Sequence, residues 1–108
     1  MEFKTHLVPD YQTVLEARDN STGPHAIIAI HNTNLGPAVG GTRLFPYPSV
    51  DEALQDVLRL ARGMTYKSAL AGLPFGGGKA VILAAPEDKT PQLFKAFGTF
   101  VNQLHGQY

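Results

Sequence analysis

The sequence contains no cysteine, carries no net charge and has no long hydrophobic run. The lack of cysteine excludes a disulfide framework and thiolate chemistry, and it is compatible with a reducing cytosol. Nine basic residues balance nine acidic ones, so the chain lacks the charge that attracts nucleic acid or an anionic membrane. No apolar stretch approaches the roughly twenty residues that span a bilayer, and residues 1–9 lack the apolar centre of a signal peptide. We therefore expect a cytoplasmic protein that binds neither nucleic acid nor membrane.

A chain of 108 residues with 44% hydrophobic residues is long enough for one core and too short for two domains. Runs with β-branched residues predict strands at 13–17, 25–30, 38–44 and 80–83, with a turn at 18–24 between the first two. Helices are predicted from about Val50, where Ser49 and Glu52 form a capping box, and from the cap and proline at Thr90 and Pro91. The pattern indicates an α/β domain.

The run from Met64 to Lys79 is the most informative part of the chain. Lys67 and Lys79 bracket a segment of small residues that ends in the triple glycine, defined as Gly76, Gly77 and Gly78. Lysine offers three donors, and glycine lets the backbone approach a ligand, so the run predicts a pocket for a small anion. The spacing matches neither a phosphate loop nor a dinucleotide fingerprint. The pattern alone fits either an anion site or a tight turn at residues 76–79. It also fits either a ligand-binding role for Lys67 or a solvated lysine at the end of a helix.

Four ordered blocks carry a family likeness, at residues 26–31, 35–43, 58–67 and 76–79. In these blocks the chain resembles the N-terminal dimerisation domain of the Glu/Leu/Phe/Val amino acid dehydrogenases, most closely the leucine, valine and phenylalanine branch. The resemblance implies a mixed β-sheet flanked by helices over residues 1–108. It also implies a homo-oligomer, either a dimer or a larger even assembly.

The resemblance implies a role for six residues of this chain. One lysine polarises the carbonyl-derived oxygen and activates water, and the other binds the substrate carboxylate. Two glycines let the amino acid lie close to the sheet, and two apolar side chains form a wall for the substrate side chain. The implied residues are Lys79 for catalysis and Lys67, Gly40, Gly41, Met64 and Val39 for substrate binding.

The reaction so implied is the reversible oxidative deamination of an apolar L-amino acid to its 2-oxo acid and ammonia, with NAD as the hydride acceptor. Glutamate specificity would need a further cation, for which only Arg43 is a candidate, so leucine or valine is favoured and phenylalanine stays open. The choice between NAD and NADP stays open as well. The four histidines lack the spacing of metal ligands, and no metal site is expected.

The resemblance also shows what these 108 residues lack. The catalytic aspartate of the family lies just beyond a segment like Gly106 to Tyr108, and the dinucleotide-binding domain follows it. We therefore expect a truncated substrate domain that is inactive alone. Two further hypotheses remain: a stand-alone oligomerisation or interaction module without catalysis, and an amino acid binding protein.

Overall fold

The computed structural model describes residues 1–19 and 24–108, which form a six-stranded mixed sheet with one helix on each face. The strands are β1 (Glu2–Thr5), β2 (Thr13–Arg18), β3 (His25–Asn32), β4 (Ala38–Val39), β5 (Thr42–Phe45) and β6 (Gly76–Leu83). The helices are α1 (Val50–Leu70) and α2 (Pro91–Asn102), and a 3-10 turn at Pro86–Asp88 precedes α2. This architecture confirms the expected mixed sheet flanked by helices.

Strand β6 joins the antiparallel part of the sheet to its parallel part. On one side it runs antiparallel to β3, and β2 and β1 extend the sheet in further antiparallel pairs. On the other side β4 and β5 both run parallel to β6, with Val39 opposite Gly77 and Thr42 opposite Ala80. Since the two short strands keep one register, they form a single edge strand interrupted at the glycine pair, defined as Gly40 and Gly41. The third predicted strand is therefore present but divided.

The strand containing the triple glycine begins earlier than predicted. The sequence pattern placed its start at Ala80, whereas β6 starts at Gly76. Glycine has a weak preference for strands, but here β3 and β4 pair with this part of the backbone. The interpretation of residues 76–79 as a loop or tight turn is therefore wrong.

The N-terminal part of the sheet combines predicted and unpredicted strands. Strands β2 and β3 confirm the first two predictions, and the amide of Asp19 donates to the carbonyl of Pro24 where they meet (2.9 Å). The predicted turn at 18–24 falls largely on residues 20–23, which lie outside the described residues. Strand β1 was not predicted, because all four of its residues are exposed and leave no alternating pattern.

The sheet has an apolar core on each face. Successive residues of a strand point to opposite faces, so the consecutive buried residues of β3 serve both cores. The core beneath α1 contains Val14, Ile27, Ala29, Ala53, Val57, Ala61 and Val81. The core beneath α2 contains Ala17, Ala26, Ile28, Ile30, Ala38, Ala80, Ile82, Phe100 and Leu104. The central strands are thus covered on both sides.

Helix α1 begins as predicted and extends past the last residue of its apolar pattern. The Ser49 hydroxyl accepts a hydrogen bond from the amide of Glu52 (3.1 Å), which confirms the cap. The helix continues to Leu70, so both Met64 and Lys67 lie on it. Helix α2 has the predicted cap at Thr90, whose hydroxyl accepts from the amide of Leu93 (3.1 Å).

Candidate functional site

Lys79 lies in the middle of β6 and faces the α1 side of the sheet. Its side chain is partly buried, while its neighbours Gly78 and Ala80 are buried. Its Nζ atom lies 3.0 Å from the point where a Cβ on Gly41 would stand. The ammonium group therefore packs directly over the bare backbone of Gly41, on the parallel edge of β6.

The glycine pair lies against β6 more closely than any other residue type could. A Cβ on Gly40 would stand 1.6 Å from the carbonyl oxygen of Gly78, which is well inside the contact distance of two atoms. Gly41 differs, because the only heavy atoms near its Cβ position belong to the flexible end of Lys79. Gly40 thus allows the strands to approach, and Gly41 leaves room for the ammonium.

Two residues of the triple glycine allow other segments to pack closely on β6. A Cβ on Gly76 would stand 1.8 Å from the carbonyl oxygen of Asn32, and one on Gly77 would stand 2.0 Å from the amide nitrogen of Thr65. These glycines therefore serve packing within the fold, between strands and between strand and helix. Because α1 rests on Gly77, its C-terminal turns lie over β6 two residues before Lys79.

Helix α1 carries the other two predicted site side chains. Met64 is partly buried, and Lys67 is exposed in the last turn, three residues further along the same flank. Thr65, between them, shares a hydrogen bond with His31 of β3, with 2.9 Å between Oγ1 and Nδ1. Burial and the nearby charge of Arg62 lower the pKa of His31, so the ring at this contact is neutral at neutral pH.

Val39 completes the set of predicted residues. It is 44% exposed and lies opposite Gly77, so it shares the α1 face of the sheet with Gly41 and Lys79. The structure thus brings Val39, Gly41 and Lys79 together on one face, beside α1. Lys67 is the most peripheral of the predicted residues, at the exposed end of the helix.

The two lysines differ from Arg43 in their electrostatic surroundings. Within residues 1–19 and 24–108, neither the Lys67 nor the Lys79 ammonium forms an ion pair. By contrast, Arg43 pairs with Asp56 of α1 (3.1 Å) and stacks on the ring of Phe45 (4.7 Å to the centroid). A lysine without an ion pair suits an anionic ligand, whereas Arg43 already has a structural partner.

Asp56 is the centre of this structural network. It accepts hydrogen bonds from Arg59 (2.8 Å), from Arg43 and from the hydroxyl of Tyr47. Burial of Asp56 acts to raise its pKa, but these hydrogen bonds and positive charges hold the pKa below its ordinary value. The charged carboxylate therefore fastens the chain after β5 to α1.

Tyr108 lies at this site, and sequence reasoning assigned it no role. Its hydroxyl lies within hydrogen-bond distance of the carbonyl oxygens of Gly41 (3.0 Å) and Gly40 (3.2 Å), which share its single proton. Its ring lies 2.8 Å from the Cβ position of Gly78, on the face of β6 opposite to Lys79. A lone tyrosine after a helix has no periodic signal, so only the fold reveals its place.

The described part of the chain lacks the features of several other kinds of site. No three His, Asp or Glu side chains there are grouped so that they could hold a metal ion. In the same residues, neither helix has the length and apolar character needed to cross a bilayer. The glycines pack strands and helix together rather than forming a turn between a strand and a helix, so these residues do not fit a nicotinamide dinucleotide.

Comparison with known proteins gives consistent matches. Residues 11–108 match the family profile described as "Glu/Leu/Phe/Val dehydrogenase, dimerisation domain". The chain is 57% identical over 102 residues to a phenylalanine dehydrogenase of Lysinibacillus sphaericus, covering 94% of this chain and 27% of that protein. It is 56% identical over 107 residues to a leucine dehydrogenase of Geobacillus stearothermophilus, covering 98% of this chain and 29% of that protein.

A solved structure shows the same fold. The crystal structure of L-tryptophan dehydrogenase from Nostoc punctiforme superposes with a TM-score of 0.87 and 53% sequence identity. The match covers 91% of this chain and 29% of the other. The sequence therefore spans less than a third of the length of these relatives.

Proposed function

This chain belongs to the Glu/Leu/Phe/Val dehydrogenase family, and on that premise we propose that it is the substrate-binding and oligomerisation domain of an NAD-dependent L-amino acid dehydrogenase. The reaction is the reversible oxidative deamination of an apolar L-amino acid to its 2-oxo acid and ammonia. The observation that carries the proposal is the ammonium of Lys79, partly buried over Gly41 and without an ion pair in the described residues. A partly buried charge without a partner is costly, so the position favours an anionic or strongly polar ligand.

The proposed mechanism divides the chemistry between the two lysines. Lys67 binds the α-carboxylate as a mobile cation at the exposed end of α1. Lys79 donates a hydrogen bond to the carbonyl-derived oxygen and takes part in the proton transfer that activates the water attacking the iminium carbon. The glycine pair forms part of the floor beside Lys79, because neither glycine has a side chain that would hold the ligand away from the backbone.

We propose that NAD supplies the hydride acceptor and binds outside these 108 residues. The described residues hold no site that fits a dinucleotide, and the chain covers less than a third of its relatives. The steps assigned to this chain are therefore limited to binding the substrate, orienting it and moving protons.

An apolar substrate fits the residues around the lysines. Val39 and Met64 offer an apolar wall, and Arg43, which follows Gly41 by two residues in the chain, is engaged with Asp56. A substrate with a second carboxylate would have to break that ion pair to be neutralised. We therefore propose a leucine- or valine-type substrate. The likeness to phenylalanine, leucine and tryptophan dehydrogenases supports the broader class of apolar amino acids.

We further propose that the protein assembles as a homo-oligomer, a dimer or a larger even assembly. The support is the matched family description, which names a dimerisation domain. Sedimentation velocity on the purified protein tests this directly, and a monomer at micromolar concentration would contradict it.

The decisive experiment measures NADH formation by the longest polypeptide of this reading frame. L-leucine, L-valine, L-phenylalanine, L-tryptophan and L-glutamate are offered separately. Lys79→Ala should lower kcat by about a hundredfold or more, the usual contribution of a positioned acid or base. Lys67→Ala should mainly raise the KM for the amino acid. Lys95→Ala, which removes a lysine from the exposed face of α2, is the matched control and should leave both constants unchanged.

The outcomes separate the candidate functions. Turnover of one apolar amino acid that is lost in Lys79→Ala establishes the proposed reaction and names the substrate. Saturable binding of an amino acid without turnover, abolished in Lys67→Ala, would replace it with a binding protein. Neither binding nor turnover, together with a stable oligomer, would favour a non-catalytic assembly module.

A further inference from the structure

The glycine pair is held between two side chains on opposite faces of the sheet. Gly78 and Lys79 are consecutive residues of one strand, so their side-chain directions are opposite. The ring of Tyr108 lies on the Gly78 face, and the Lys79 ammonium lies over Gly41 on the other face. The peptide bonds of the glycine pair therefore have the catalytic candidate on one side and the Tyr108 phenol on the other.

The glycine pair needs an external constraint to hold one orientation. Two consecutive glycines have more accessible backbone conformations than any other dipeptide. The ladder hydrogen bonds of the edge strand are interrupted here, between β4 and β5. Two groups hold the carbonyl oxygens of the glycine pair. The Tyr108 hydroxyl lies within hydrogen-bond distance of both oxygens, and the Ala80 amide donates to the carbonyl oxygen of Gly41 (3.2 Å).

We infer that Tyr108 is a positioning residue of the substrate site, acting through the glycine pair. By holding the carbonyl oxygens of Gly40 and Gly41 toward its own face, the hydroxyl fixes the peptide planes on which the substrate rests beside Lys79. Tyr108 itself touches neither the Lys79 ammonium nor the face on which the substrate is proposed to lie. This inference rests on the proposed function.

The backbone around Tyr108 places the phenol for this role. Gly106 has a φ of +82°, a left-handed conformation that turns the chain back after α2. The carbonyl of Gln107 then accepts from the amide of Ala38 (2.8 Å), at the start of β4. Burial raises the pKa of Tyr108 above its ordinary value, so the phenol keeps its proton and remains a donor across the physiological range.

The test is Tyr108→Phe in the longest polypeptide of the reading frame, with steady-state kinetics for the preferred amino acid. The KM should rise about fivefold with kcat nearly unchanged, as expected when one hydrogen bond that supports ground-state binding is lost. Tyr11→Phe is the matched control, because the Tyr11 hydroxyl also donates to a backbone carbonyl, that of Leu58 (2.6 Å), away from the glycine pair. It should leave the KM unchanged.

Each outcome decides the inference. The inference is overturned if Tyr108→Phe and an active parent have equal KM values. It is also overturned if only kcat falls, because that result indicates only a smaller folded fraction. If the parent shows no turnover, the proposed function fails and this inference fails with it. If Tyr108→Phe is not recovered folded, Gly78→Ala replaces it, because its methyl would stand 2.8 Å from the Tyr108 ring, and 3.1 Å from both the Ala29 carbonyl oxygen and the Ala38 Cβ, while the hydroxyl is kept. An unchanged KM in Gly78→Ala also overturns the inference.

Discussion

At the scale of single residues, the space around a glycine matters more here than its flexibility. Gly40 has no room for a side chain, because a Cβ would stand 1.6 Å from the backbone oxygen of Gly78. We expect Gly40→Ala to separate the edge strand from β6 and to lower the free energy of unfolding by at least about 3 kcal/mol. Urea denaturation followed by circular dichroism measures this loss.

Gly98 provides the matched control for that substitution. It lies on the exposed face of α2, and nothing stands within 4 Å of its Cβ position. Gly98→Ala should raise the free energy of unfolding by about 0.5–1 kcal/mol, because alanine loses less entropy in a helix. A similar loss in both variants would show that glycine is needed at Gly40 for some reason other than space.

Glu16 is the residue whose charge state most clearly links stability to pH. It is 9% exposed, and its carboxylate binds His6 (2.8 Å) and His25, one through each oxygen. Burial alone would raise the pKa of Glu16, but the hydrogen bonds from the two histidines outweigh burial and lower it. The folded protein therefore binds the Glu16 proton more weakly than the unfolded chain does.

The sign of the pH effect follows from that difference. A carboxyl with a lowered pKa adds stability above its unfolded value, about 4.3, and this stability is lost as the pH falls through the folded pKa. We expect the unfolding free energy of Glu16→Gln to fall less steeply than that of the parent as the pH is lowered from about 5 to about 3. Urea midpoints measured across this range test it, with Glu87→Gln, an exposed carboxylate in the 3-10 turn, as control. Parallel profiles for the parent and Glu16→Gln would contradict it.

At the scale of elements, helix α1 matters most because it carries Met64 and Lys67. Its first turn depends on the Ser49 hydroxyl, which accepts from the Glu52 amide. Ser49→Ala should cost about 1 kcal/mol of unfolding free energy, and Ser49→Gly only a few tenths. Chemical denaturation distinguishes the two variants. An alanine variant as stable as the parent would mean that packing on the sheet, rather than the cap, fixes where the helix begins.

The elements that sequence reasoning found are those with a buried periodic face or a cap. Strands β2 and β3 and the starts of both helices fall in this group. The elements that it missed lack such a local signal. Strand β1 is exposed throughout, and the first half of β6 is glycine, so both exist only because neighbouring strands pair with them.

The candidate site was predictable in its residue types but not in its arrangement. The lysines and glycines form visible blocks in the sequence, and the register places Val39, Gly41 and Lys79 on one face. Tyr108 could not be assigned from the sequence, because its contacts with Gly41 and Gly40 span 67 and 68 positions of the chain. Contacts over such separations depend on the completed sheet and leave no local pattern.

At the scale of the whole molecule, stability depends on both faces of the sheet. Ile27 and Ile28 are adjacent in β3 and fully buried, yet they belong to different cores. Ile27→Ala and Ile28→Ala should each lower the unfolding free energy by about 2–5 kcal/mol. Leu70→Ala, at a side chain that is 90% exposed, should change it by less than about 0.5 kcal/mol. A large loss from only one isoleucine would show that one helix contributes little to the fold.

The lengths of the strands affect how readily other chains can pair with the sheet at high protein concentration. The central strands β3 and β6 have eight residues each, whereas the outer strands have four in β1, two in β4 and four in β5. An open sheet edge attracts strands of other molecules, and a long flat edge attracts them most. Here β1 forms one short edge, and the other edge, formed by β4 and β5, is interrupted at the glycine pair. Other chains therefore have little backbone with which to pair. The glycine pair, which leaves room for Lys79 at Gly41, thus also limits the length of edge strand that another chain can extend.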